Sequence, residues 1–276
     1  MAYLDNFNYQ IVGPEGSPYL VLLHGLMGSG ANWRKVTSSL QDDYRILLYD
    51  QRGHGRSFQP ASGYRPEDYA DDLHLILQEL GWSQVFLVGH SMGGRNALNF
   101  AARFPDMVHK LVIEDIGPDA SERAIARMIQ LIESVPTPFG SRQEAKKFLR
   151  GDFLEMFKDR QNIDSISLYF YSNVMELADG TVDWRFSKPA ILESVRMGRA
   201  RERWDEVRHL RMPTLLLRGS HSEELSRAVY ERMLAENPRI HGLEIPESGH
   251  WVHADQPEAF VRALREFLQS PVHLAH

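Results

Sequence analysis

Val85-Phe-Leu-Val-Gly-His-Ser-Met-Gly-Gly94 is the stretch whose reading decides the fold. Residues 85–88 are an apolar run without polar alternation, the pattern of a strand covered on both faces. From Ser91 to Arg103 the apolar residues recur at helical spacing. The pentapeptide Gly89-His-Ser-Met-Gly93 therefore sits between a strand and a helix, the setting in which G-x-S-x-G carries chemistry. So sharp a turn holds its central residue in a strained conformation, and strand and helix can approach only if the neighbouring residues are small; Gly89, Gly93 and Gly94 meet that need. Ser91 is expected to project from the sheet edge. The helix that starts there aims unpaired N–H groups and a partial positive charge at the same point.

Outward from this stretch, segments 19–23, 45–49, 111–113, 214–217 and 243–245 also read as strands. Segments 66–80, 224–236 and 257–268 read as the intervening helices, with Pro66 and Pro257 in first-turn positions that lose nothing by lacking an N–H. The alternation predicts the α/β class: a mostly parallel central sheet flanked by helices. It stops after Asp115 and resumes near Met212. Between them, 120–132, 163–177 and 188–197 carry helical stripes, Ser141-Arg-Gln-Glu144 matches a capping box, and no segment reads as a strand. The expected organisation is a core of residues 1–116 and 200–276 with a helical cap, 117–199, inserted after Asp115. A free-standing helical domain is the alternative, and no linker-like segment flanks the region to favour it.

Composition narrows the function classes. The chain has 276 residues, long enough for one large domain with an insertion. Its 31 basic and 37 acidic residues give a net charge of −6, which argues against nucleic acid as a partner. Without cysteine it has neither disulfides nor thiolate metal sites. Residues 1–10 lack the basic lead and apolar centre of a secretory signal, and no apolar run reaches membrane-spanning length, so the expected setting is cytoplasmic.

His24-Gly-Leu-Met-Gly28 follows the strand at 19–23, and in a parallel sheet its loop emerges at the same carboxyl edge as Ser91. The backbone N–H groups of Leu26 and Met92 are the candidate oxyanion donors. A serine hydroxyl needs an adjacent base. Of the twelve histidines, His250 is the candidate, because Glu247-Ser-Gly-His-Trp251 lies between the last strand and the last helix and follows the serine in chain order. His24, His54 and His90 sit beside glycines in turns and are assigned structural hydrogen bonds; His253, His273 and His276 are expected to face solvent. Histidines and carboxylates show no metal-binding spacing of the H-E-x-x-H kind, and the chemistry requires no cofactor.

Taken together, His24–Gly28, Asp50-Gln-Arg-Gly-His-Gly-Arg-Ser57, Gly89-His-Ser-Met-Gly-Gly94 and Gly249-His-Trp251 resemble the α/β-hydrolase superfamily over nearly the whole chain. Within it, Asp115-Ile-Gly-Pro118, Asp183-Trp-Arg-Phe186 and Gly249-His-Trp-Val-His253 look like the bacterial YbfF-type esterases and their mitochondrial abhydrolase relatives. The resemblance implies a serine esterase acting on small to medium acyl esters, or on thioesters. Most superfamily members place the triad acid after the strand equivalent to 214–217; here Arg218-Gly-Ser-His-Ser222 has serine there. The YbfF-type group takes its acid from the end of the preceding strand, which implies Asp115. That strand neighbours the nucleophile's strand at ~5 Å, so a carboxylate there reaches His250. Glu223 and Glu224 are the alternatives, although they read as first-turn acids of the next helix. Strand alternation turns Glu114 to the opposite face.

Met27, Phe139 and Trp251 are expected to contact substrate, with Phe148, Phe153, Met156 and Phe157 as further candidates or simply cap core. Two other readings stay open. Gly28-Ser-Gly-Ala-Asn-Trp33 and Gly93-Gly-Arg95 resemble the menaquinone-pathway synthase, a carbon–carbon lyase, which normally keeps the later aspartate. The other is a ligand-binding sensor that retains the triad.

Overall fold

The computed structural model describes residues 2–160 and 162–271. Its main sheet has seven strands in the order β1-β3-β2-β4-β5-β8-β9. These are β1 Tyr9–Val12, β2 Tyr19–Leu23, β3 Arg45–Tyr49, β4 Val85–His90, β5 Val108–Glu114, β8 Thr214–Gly219 and β9 Ile240–Ile245. Every pairing is parallel except β1 with β3. A second, two-stranded sheet pairs β6 Val174–Glu176 with β7 Val182–Trp184.

The helices are α1 Arg34–Leu40, α2 Pro66–Leu80, α3 Met92–Arg103, α4 Glu122–Glu133, α5 Arg142–Lys147, α6 Phe153–Met156, α7 Ile163–Ser172, α8 Lys188–Gly198, α9 Trp204–His209, α10 Arg227–Glu236, α11 Val252–Asp255 and α12 Pro257–Gln269. Among the described residues, no helix is long and apolar enough to cross a membrane.

The continuous apolar runs exist because both sheet faces are covered. In β2, Val21 and Leu23 join one apolar cluster with α2 and α3, while Leu20 and Leu22 join another with α1 and α12. The segment between β5 and β8 packs about a third cluster of its own, centred on Leu131, Ile132, Leu149, Phe153, Phe170 and Val182. Lys110 of β5 is buried, and its ammonium donates to the carbonyls of Phe267, Leu268 and Ser270. A sheet residue thereby satisfies the carbonyls at the C-terminus of α12, where cations are favoured.

The structure corrects several expectations. β1 went unread, because a short half-exposed edge strand carries little pattern. The hairpin β6–β7 interrupts the region expected to hold no strand, so the helix expected over 163–177 stops at Ser172. The helix expected from Glu224 begins at Arg227, capped by the Ser226 hydroxyl accepting from Val229 N–H. His273 and His276 lie outside the described residues.

Candidate active site

The strands β2, β4, β5 and β8 all end at one edge, and the residues that follow them converge there. Ser91 follows β4 at the N-cap of α3 with φ 53° and ψ −118°. A non-glycine residue in that region is strained, and the surroundings hold it there. Its N–H donates to the Glu114 carbonyl. A Cβ on Gly89 would stand 2.3 Å from the Gly93 carbonyl oxygen, and one on Gly93 would stand 2.4 Å from that of Leu23. These two glycines admit the close approach of strand and helix that sets the angle of the turn.

His250 lies in the loop after β9. Its Nε2 is 2.9 Å from Ser91 Oγ and its Nδ1 is 2.8 Å from Asp115 Oδ2. Asp115, directly after β5, is fully buried and also has a positive φ, 54°. Its Oδ1 accepts from Gly219 N–H, and its Oδ2 accepts from the Ser222 hydroxyl as well as from the imidazole. Ser222 Oγ in turn accepts from the N–H groups of Glu224 and Leu225. The serine in the superfamily's usual acid position thus braces a carboxylate delivered by the neighbouring strand.

Electrostatics favour a basic imidazole. Burial works against the charged form of His250, but the hydrogen bond and charge of Asp115 outweigh it, aided by Glu224 and Glu114, and its pKa is held above the ordinary value. His90 behaves oppositely. Burial and the nearby His250 and His253 push its pKa well down, so it is neutral and donates Nε2–H to the His250 carbonyl.

Glu114 points away from Ser91, as alternation requires, and meets His253, whose N–H and Nδ1 both contact its carboxylate. His253 is therefore buried rather than facing solvent; it lies on α11 one helical turn after His250 and turns inward. Among the described residues, His90, Glu114 and His253 have ligand atoms within 4.8 Å of one another, a spacing a metal ion would accept. Hydrogen bonds already engage His90 Nε2, His253 Nδ1 and both Glu114 oxygens.

The loop after β2 is fixed by His24 and Gln51. His24 Nε2 accepts from Gln51 N–H, the Gln51 side chain donates back to the His24 carbonyl, and Asn96 holds the Gln51 oxygen. These bonds and the Met27 φ of 63° set the path of Leu26 and Met27. Among the described residues, neither the Leu26 N–H nor the Met92 N–H has a protein partner. His54 makes a local bond from Nδ1 to the Arg52 carbonyl.

Above this edge lies a cavity of about 500 Å³. Leu26, Met27, Ser91, Met92, His250 and Trp251 line it. Phe139 does not: it is buried in the apolar cluster of the inserted segment, paired through its backbone with Val182. Phe148, Phe153 and Phe157 pack in the same cluster. Glu223 and Glu224 line the cavity in the loop before α10 rather than in that helix, and Glu224 pairs with Arg199 at 2.6 Å. Tyr169 was missed by sequence reasoning; its hydroxyl donates to the Leu26 carbonyl and its ring stands 5.1 Å from that of Trp251. Nothing in a helical stripe distinguishes a residue with such a role from its neighbours.

Comparison with known proteins places the fold in a class. A family model described as alpha/beta hydrolase fold matches residues 18–257, and the chain belongs to that family. The sn-1-specific diacylglycerol lipase ABHD11 of Danio rerio is 30% identical over 271 residues, covering 96% of this chain and 83% of the relative. Esterase YbfF of Escherichia coli is 29% identical over 254 residues, covering 90% and 92%. Among solved structures, E-2-(acetamidomethylene)succinate hydrolase matches with a TM-score of 0.82 at 25% identity, covering 96% of this chain and 95% of that one. The protein is a hydrolase similar to the YbfF and ABHD11 type.

Proposed function

We propose that the protein is a serine carboxylesterase working through an acyl-enzyme at Ser91, with His250 as general base and acid and Asp115 as the orienting carboxylate. The observation that carries this reading is the unbroken chain Ser91 Oγ, His250 Nε2, His250 Nδ1, Asp115 Oδ2, with links of 2.9 and 2.8 Å. Ser91 Oγ attacks the acyl carbon as its proton passes to His250 Nε2. The N–H groups of Leu26 and Met92 take the oxyanion. Collapse expels the alcohol, which collects the proton from His250. Water then gives a proton to His250 as it attacks the acyl carbon, and collapse breaks the acyl–Oγ bond, releasing the acid while His250 returns that proton to Ser91 Oγ.

In this reading residues 1–116 and 200–276 form the catalytic core and 117–199 a cap that roofs the cavity. Met27 and Trp251 contact substrate, and the substrates are small to medium acyl esters, with thioesters within the same chemistry. The test is a chain-length panel of p-nitrophenyl esters and acyl-CoA thioesters on wild type and Ser91→Ala. Intact-mass detection of an acyl adduct on the wild type, absent in Ser91→Ala, is the expected result; turnover retained in Ser91→Ala overturns it.

A further inference from the structure

The roof of the cavity carries charges that this chemistry does not use. Arg123 and Arg127 lie on α4, Arg160 lies shortly before α7, and all three line the cavity. Among the described residues, no carboxylate stands within 4.0 Å of any of these three guanidinium groups, and none of them makes a side-chain hydrogen bond. Arg199, by contrast, is paired with Glu224.

Arg123 and Arg127 are exposed at the cavity and Arg160 is half-buried. Arg123 and Arg127 are four residues apart on one helix, where like charges repel. Burial and the charge of Arg127 both push the Arg160 pKa down, with Glu224 and Glu223 opposing. A fourth guanidinium, Arg95, is 3% exposed and lines the same cavity; its terminal nitrogens donate to the Gly198 and Asp119 carbonyls, and its buried Nε has no partner among the described residues. Several of the lining acids are already engaged. Glu224 is engaged by Arg199, Asp119 stands 4.0 Å from Arg95, and Asp255 accepts from Gly249 N–H in the loop that carries His250. Glu223, whose charge acts on Arg160, and Glu247 also line the cavity, each without a side-chain partner among the described residues.

Guanidinium groups that converge on a cavity and form no close ion pair of their own are suited to an anion, and the guanidinium fork is shaped for a carboxylate. Met128, Ile166 and Val195 line the same space and suit a methylene chain between that group and the scissile bond. We infer that Arg127 and Arg160, with Arg123 at the outer edge and Arg95 inside, bind a free carboxylate on the substrate, so that the preferred esters are anionic. This rests on the esterase reading for the word ester, but not for the anion site itself. The carboxylate belongs either to the acyl part or to the alcohol.

Paired substrates separate these sources. Mono-p-nitrophenyl glutarate is compared with p-nitrophenyl valerate, and 4-carboxyphenyl valerate with 4-carbamoylphenyl valerate. One carboxylated ester should exceed its neutral twin in kcat/KM by ~10-fold or more, the scale of a charge-assisted pair. Arg160→Gln and Arg127→Gln should bring that ratio towards unity, mainly through KM. Calorimetric titration of Ser91→Ala with glutarate reads the site without turnover, and the heat should vanish in Ser91→Ala/Arg160→Gln. Neutral esters turned over at least as well as both anionic twins, with no glutarate heat, overturn the inference and leave the esterase reading intact. Glutarate bound through Arg160 by a protein that hydrolyses none of the four esters supports the anion site and removes the esterase reading instead.

Discussion

The floor of the cavity and its roof are built differently. On the floor, Ser91 and Asp115 sit at positive φ directly after their strands and Met27 does so in the loop after β2, and the Asp115 carboxylate is tied to Gly219 N–H, the Ser222 hydroxyl and the His250 imidazole. On the roof, α4, α7 and α8 are held by apolar packing, and three arginines face the cavity without partners among the described residues. Bond-making chemistry demands placement within a fraction of an ångström, which backbone geometry supplies. Recognition tolerates long side chains that settle around whatever enters.

Substitutions on the two surfaces should therefore fail in different ways. Ser91→Ala should have the largest effect, a fall in kcat of ~10⁴ or more with the unfolding midpoint retained. Asp115→Asn keeps shape but removes charge and should lower kcat by ~10²–10⁴, while Glu224→Gln stays near wild type. The reverse ranking in steady-state assays would place the acid in the loop after β8. On the roof, Phe153→Ala should cost about 3–5 kcal/mol in denaturant unfolding, because the ring is fully buried. An equal loss in kcat on a short ester at a temperature where the variant is folded would erase the contrast. Ser222→Ala removes one donor to the buried Asp115 carboxylate and should lower kcat by roughly tenfold with little change in KM.

The smallest effect concerns pH. His250 must be neutral to accept the serine proton, and its pKa lies above the ordinary histidine value, so kcat/KM should begin to fall on the acid side earlier than an unperturbed histidine would dictate. Glu224 contributes to that elevation, and Glu224→Gln should move the acid limb to lower pH. An unmoved or raised limb in the pH profile would separate Glu224 from the catalytic base.

The same contrast governs what could be read from the chain alone. The floor is written in local signals. Pro66 at the first helical position and Gly81 at φ 69° bound α2 at the residues expected, and β2 and β3 likewise match their expected ends. Gly89 and Gly93 mark the elbow because no other residue fits there. The roof is written in contacts between distant segments. β6 and β7 have three residues each and find their pairing only within the roof's apolar cluster, so Phe170 and Val174 read alike as helix. Phe139 was expected against substrate and proved buried, since an aromatic residue's side of a cap is set by its partners and not by its spacing. His253 misled for a related reason: it lies on α11, and its partner Glu114 lies 139 positions away on β5. The serine at 222 was noticed as a departure, but its hydrogen bond to Asp115 depends on β5 and β8 being neighbours, which only the sheet order reveals.

Tyr169 joins the two surfaces. Its hydroxyl holds the carbonyl of the peptide linking Leu26 to Met27, and its ring leans on Trp251, the residue after His250. Any lifting of α7 away from the sheet would break that bond and free the loop that, in the proposed mechanism, receives the developing negative charge. On the proposed mechanism the phenol would act as an interlock, tying any opening over the cavity to the setting of the loop beneath it.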